Sequence, residues 1–219
     1  MRRALPLLLM SAFTLSTCAA VRPYAGAVGG IATLSADAGS RATAQGLSLS
    51  SYAPENGAAV NIFAGLHLHN YFSVQANYIW NRNDLLLNST LSPSTIFYQQ
   101  TRISSQHAAI FDSLIYFRRL SSRVRPYLSI GTGVVHFSSM EREILGSGGM
   151  PALPPVTFSS NRPVLRVAVG IDVALARKLV VRYSFSETIG KNDISKQLSP
   201  PAPRGLANFQ NLFGFVIGF

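Results

Sequence analysis

The chain has a single cysteine, Cys18, so no internal disulfide can brace it and no thiol chemistry is available to it. Beyond residue 20 no apolar run approaches the roughly 18 to 20 residues that a membrane-crossing helix needs, which excludes a helical membrane protein. Charge is scarce: 13% of the 219 residues are charged, and 9 acidic groups face 19 basic ones. No phosphate-binding glycine loop, Cys/His zinc spacing or nucleotide fingerprint occurs, so no cofactor and no metal is expected.

What the chain does contain is apolarity that is spread out rather than blocked. It is 47% hydrophobic, with 17 Gly, 13 Phe and 8 Tyr, a composition that favours strands joined by turns. This predicts one all-β domain. At the N-terminus, Arg2 and Arg3 precede an apolar stretch from Ala4 to Leu15 and the small residues Ser16 to Ala20. That is the layout of a secretory signal peptide over residues 1–20, leaving 21–219 as the mature domain. Cys18 allows a second reading, in which Leu15 to Cys18 is a lipoprotein box and Cys18 is acylated. Cleavage after Ala20 leaves 17 basic against 9 acidic groups. Such an excess in an exported protein suits anionic lipid headgroups better than nucleic acid, and no nucleic-acid partner is expected.

Period-two alternation places eight strands. The first, Arg22 to Leu34, is small and glycine-rich. From Ala59, Val60, Ile62, Ala64, Leu66 and Leu68 share one face, with Asn61, Phe63, Gly65, His67 and His69 on the other. A tight turn at Asn70 and Tyr71 then leads to Phe72, Val74, Ala76, Tyr78 and Trp80 against Ser73, Gln75, Asn77 and Ile79. The fourth strand runs from Arg102 to Phe117, the fifth from Tyr127 to Ser138, the sixth from Leu165 to Ala174, the seventh from Leu179 to Ser186 and the eighth from Ala207 to Phe219. Polar, Gly- and Pro-rich stretches of about twenty residues, Ser35 to Glu55, Asn81 to Gln100, Ser139 to Asn161 and Glu187 to Gly205, read as loops. They alternate with tight turns. An even strand count with long and short connections in alternation is the rhythm of a closed up-and-down transmembrane β-barrel, which has apolar residues outside and polar ones within. The competing reading is a secreted soluble β-sandwich binding module, whose polar face would simply meet water.

The ending carries a resemblance. Phe213, Phe215, Ile217 and Phe219 alternate with Gly214, Val216 and Gly218. This resembles the C-terminal signal that bacterial outer-membrane barrels present to the barrel-assembly machinery. The stretch Arg125 to Phe137, with its Pro-Tyr and Gly-x-Gly, is similar to a strand of the small OmpA/OmpX-type barrels. The resemblance implies an eight-stranded barrel in the bacterial outer membrane, monomeric, in contact with phospholipid and lipopolysaccharide, with no open pore and with loops that bind envelope or surface partners.

Within that architecture Asp112, Arg166, Asp172 and Arg182 point inward as a charge network. A turn centred on Arg177 sets Asp172 and Arg182 opposite one another. An interior just wide enough for side chains makes the network a filling rather than a pore lining. Arg118, Arg119, Arg123 and Arg125 in one turn, and Arg177 with Lys178 in another, form a basic rim for lipid headgroups. His136 and Ser138, followed by Glu141 and Glu143, resemble the His-x-Ser and Glu order of the lipid A 3-O-deacylase family. That resemblance implies an esterase with Ser138 as nucleophile and His136 as base. The scaffold reading, without catalysis, stands against it. His67 and His69 share a face, but two imidazoles alone make a weak metal site.

Overall fold

The computed structural model describes residues 21–34, 37–43, 46–54, 56–92, 96–146, 155–191 and 205–219. The expected signal peptide and Cys18 lie outside the described residues. Ten strands run in chain order: β1 (Arg22–Leu34), β2 (Asp37–Thr43), β3 (Gly46–Pro54), β4 (Gly57–His69), β5 (Phe72–Ser92), β6 (Ile96–Tyr116), β7 (Val124–Gly146), β8 (Thr157–Ala174), β9 (Leu179–Lys191) and β10 (Gly205–Gly218). No helix occurs among the described residues.

Eight of these strands form an antiparallel ring in the order β1, β4, β5, β6, β7, β8, β9 and β10, and β10 returns to β1 from Tyr24 opposite Gly218 to Leu34 opposite Asn208. Closure pairs every wall strand on both sides, so the ring itself has no open edge among the described residues. β2 and β3 form a hairpin outside the ring. β4 leaves β5 at Ala59 opposite Asn81, and β3 takes over the same edge of β5 from Pro54 opposite Leu85 to Leu47 opposite Ser92.

The wall is apolar outside and polar inside. Phe111, Ile130, Val134 and Phe213 are each more than half exposed, whereas Gln75, Asn77, Asp112 and Arg182 are all at or below 5%. In water such an outer face would forfeit about 25 cal/mol per Å² of apolar surface left uncovered. A hydrocarbon surround removes that cost, and this arrangement is the inverse of the soluble sandwich.

Three of the four stretches expected as loops are largely strand, and the fourth is strand at its described ends. β2 and β3 occupy the first, β5 and β6 run through most of the second, β7 extends to Gly146, and β9 extends to Lys191. The reason lies in what surrounds each level of the wall. A strand rises about 2.5 Å per residue along a barrel tilted near 40°, so ~10 residues cover the ~25 Å apolar band. At 21 to 23 residues, β5, β6 and β7 stand well clear of that band. There the outer face meets water, and polar residues on both faces no longer contradict a strand.

Candidate functional site

The barrel interior holds the densest chemistry. Asp172 on β8 and Arg182 on β9 are direct cross-strand partners. Arg182 Nε donates to Asp172 Oδ1 at 2.7 Å, and Nη2 donates to Oδ2 at 2.8 Å. Nη1 reaches Gln75 Oε1 at 2.7 Å, and Nη2 also donates to the Tyr116 hydroxyl at 3.0 Å, which in turn donates to Asp172 Oδ2 at 3.0 Å. The guanidinium lies 4.8 Å from the Phe63 ring centroid and 5.0 Å from that of Tyr127. This bidentate, aromatic-lined pairing suits a planar guanidinium and would not suit an ammonium.

Arg166 on β8 pairs with Asp112 on β6, although β7 lies between them. In register, Asp112 faces Gly131, which faces Arg166. A Cβ at position 131 would collide with the Asp112 carboxylate, so the missing side chain is what lets the two charges meet across a strand. Asn77 Nδ2 donates to Asp112 Oδ2 at 3.1 Å, and Gln75 Nε2 donates to Asn77 Oδ1 at 2.6 Å. The two ion pairs are thereby one network, to which Tyr24 adds a hydroxyl donated to Gln75 Oε1 at 3.1 Å and Asn61 an amide donated to Asn77 Oδ1 at 3.1 Å. Six of the eight wall strands contribute. The void left among these side chains is about 10 Å³, at the lower limit for a single water.

Towards the loop end, Asn208 donates to Gln106 and Gln210 donates to Asn81. Above them Leu34, Leu85, Leu87 and Phe137 form a small apolar cluster with Phe158. Beside it Arg102, fully buried, donates to Ser139 Oγ, Gln100 Oε1 and the Pro155 carbonyl, each at 2.9 Å, tying the entry to β8 onto β6 and β7. Sequence reasoning assigned no role to Arg102, Gln75, Asn77 or Tyr116. Parity was the available signal: Arg102 and Tyr116 share that of Asp112 on β6, and Gln75 and Asn77 share the inward one on β5.

His136, Ser138 and Glu141 are not brought together. His136 is exposed on the outer wall, where its Nδ1 meets Asn161 Oδ1 at 2.8 Å, and Ser138 lies on the same outer face. Glu141 follows on β7 rather than in a loop, faces Arg102 on β6, and accepts a hydrogen bond from the buried Gln100 amide. Trp80, His107, His136 and Asn161 face one another in register across β5, β6, β7 and β8, all on the outer face. The three rings form an amphipathic row of the kind found at a membrane–water boundary. His67 points inward, stacked on Tyr24 with centroids 4.5 Å apart and hydrogen-bonded to Ser73, while His69 is exposed beside Tyr71. Among the described residues no group of three or more His, Cys, Asp or Glu could hold a metal ion.

At the turn end, Arg118, Arg119 and Arg123 are exposed between β6 and β7, and Arg177 and Lys178 are exposed between β8 and β9. Arg125 differs from its rim assignment. It is 6% exposed, with its guanidinium 3.7 Å over the Tyr116 ring. β7 starts at Val124 rather than Tyr127, so Arg125 takes the inward parity of Tyr127 and Ser129. On β10, Phe213, Phe215 and Ile217 face outward and Leu212 and Val216 inward, and Phe219 just beyond the strand is exposed as well.

A family model described as an outer membrane protein beta-barrel domain matches residues 5–201. No curated protein matches the sequence. Solved structures similar to this chain include Ail, the attachment invasion locus protein of Yersinia pestis, in complex with the heparin analogue sucrose octasulfate, at 12% identity over 90% of this chain and 99% of that one, with a TM-score of 0.47. Neisserial surface protein A is similar at 14% identity over 91% and 97%, with a TM-score of 0.42. The outer membrane protease OmpT from Escherichia coli is similar at 10% identity over 90% and 97%, with a TM-score of 0.45.

Proposed function

This chain belongs to the outer-membrane β-barrel domain family, and from that premise we propose that it is a sealed scaffold of the bacterial outer membrane that displays a raised β-structure for recognition. The observation that carries the reading is the pairing of a filled interior with an overbuilt wall. At the level of the network the ion pairs and their hydrogen bonds leave a void of about 10 Å³ among them, which supports a plug rather than a conduit. Beyond the span a membrane requires, β5, β6 and β7 continue upward and β3 pairs onto β5 with β2 beside it. A structure kept rigid above the membrane serves contact with a partner and adds nothing to anchoring. In outer-membrane barrels the long connections face outward and the short turns face the periplasm, so this raised sheet meets the cell's surroundings and its lipopolysaccharide. Envelope and surface molecules are its partners in this reading, and the chain acts as a monomer inserted by the barrel-assembly machinery.

Catalysis is absent from this reading because His136 and Ser138 lie on the outer wall while Glu141 is held by Gln100 and Arg102. The test removes the hairpin. Replacing residues 38–52 by a short Gly-Ser link should leave the inserted amount unchanged and lower lipopolysaccharide binding and whole-cell adhesion. Equal binding with and without the hairpin contradicts the display role, and stepwise conductance through the intact protein in a planar bilayer contradicts the plug.

A further inference from the structure

A cavity of about 460 Å³ opens at the turn end of the barrel, below the ion-pair network. Its wall includes Arg22, His67, Arg125, Asp172, Arg177 and Lys178. Arg125 is the unusual member. It is buried to 6% exposure, yet its Nε and Nη2 have no hydrogen-bond partner. Buried guanidinium groups are normally paired, and the face of Tyr116 below this one offers a cation–π contact but no acceptor for its N–H groups.

The nearest acid does not answer it. Asp172 is the cross-strand neighbour of Arg125, but both of its carboxylate oxygens are already engaged by Arg182, and one also by Tyr116. His67 is engaged with Ser73. Four cationic side chains, Arg22, Arg125, Arg177 and Lys178, therefore line the cavity against the Asp172 carboxylate, which is already engaged, and the terminal carboxylate of Phe219, which leaves an excess of positive charge. A planar guanidinium with free donors, backed by basic groups in a partly desolvated recess, is a receptor for an oxyanion.

We propose that this cavity is a phosphate-binding site, taking one phosphate or phosphodiester group on the Arg125 guanidinium with Arg22, Arg177 and Lys178 closing around it. The volume falls in the range of small-ligand pockets and leaves room for the substituents of a diester. Short turns face the periplasm in barrels of this type, which sets the opening level with the inner-leaflet headgroups. The same chemistry comes from two sources, an anionic phospholipid headgroup or free phosphate in the periplasm.

Equilibrium dialysis of the folded protein in an uncharged maltoside detergent, with radiolabelled inorganic phosphate at constant ionic strength, tests the site. Short-chain phosphatidylglycerol serves as competitor. One saturable equivalent is expected for the wild type, weakened at least tenfold by Arg125→Met and several-fold by Arg177→Gln with Lys178→Gln. Arg82→Ser with Arg142→Ser, which removes equal charge from the exposed outer wall at the loop end, should leave it unchanged. Displacement by the lipid at lower concentration than by unlabelled phosphate identifies the headgroup as the source, and the reverse identifies free phosphate. No saturable binding of either probe by the wild type overturns the proposal. So does unchanged affinity in Arg125→Met or, should that variant fail to fold, in the Arg177→Gln/Lys178→Gln variant on the exposed turn.

Discussion

Removing the carboxylate of Asp172 is the sharpest perturbation of the interior. Asp172 accepts two hydrogen bonds from Arg182 and one from Tyr116, at 2.7 to 3.0 Å, with both charged partners at 4% exposure or less. Asp172→Ala leaves Arg182 buried with only the neutral Gln75 amide and Tyr116 hydroxyl as acceptors, and places it near Arg125 and Arg166 with Asp112 as the only remaining acid in the network. Breaking one side of a buried pair costs about 3 to 5 kcal/mol, because an uncompensated charge remains. Arg182→Met alone strands Asp172 in the same way, although the Tyr116 hydroxyl still donates to it, so its cost should fall at the lower end of that range. With both changes the charges vanish together, and the double variant should be less destabilised than the sum of the singles by about 1 to 3 kcal/mol. Urea unfolding followed by the fluorescence of Trp80, the one tryptophan in the chain, gives all four corners of the cycle. Additive losses, or a loss below about 1 kcal/mol for Asp172→Ala, would show that water solvates these charges and that the interior is not a packed plug.

Deleting Phe219 should lower the amount of barrel inserted in the outer membrane, measured as heat-modifiable protein, and unchanged insertion would refute its part in the assembly signal carried with Phe213, Phe215 and Ile217. Ser138→Ala should leave lipid A acylation in cells unchanged, and a wild-type deacylation that disappears in this variant would establish an esterase at a site where His136 meets Asn161. Replacing Arg118, Arg119 and Arg123 by Ser should slow folding into vesicles of anionic lipid more than into neutral ones. Each basic group near such a surface contributes about 1 kcal/mol, and added salt should narrow the gap. Equal losses in both lipids would leave these residues only a role in solubility.

How far the fold could be read from the chain depended on lipid. Within the apolar band each outward position must be greasy, so Val60 to Leu68 and Phe72 to Trp80 alternate cleanly, and their strands and the turn at Asn70 are legible. Above the band that demand lapses. Asn83, Leu85, Leu87 and Ser89 point inward while Arg82, Asp84, Leu86 and Asn88 point outward, a pattern with no polarity contrast, and the upper half of β5 was therefore read as loop. The interior was legible only where a tight turn sets register. Asp172 and Arg182 flank a short turn and face each other as counting from Arg177 requires. The approach of Arg166 to Asp112 depends on the intervening Gly131, a relation that spans three strands and carries no local signature. Arg125 was misplaced because the strand was expected to start after Pro126, at Tyr127, whereas pairing of Val124 with Val173 begins it three residues earlier.

A closed barrel embedded in the outer membrane, greasy without and plugged within, has a direct biochemical signature. Fractionation of cells expressing the full chain, followed by electrophoresis of unheated and boiled samples, addresses it directly. The protein should co-sediment with outer membranes and migrate faster unheated than boiled, because a sealed, internally bonded ring resists unfolding by detergent at room temperature. A chain recovered soluble from the periplasm, with one mobility before and after boiling, would contradict the account.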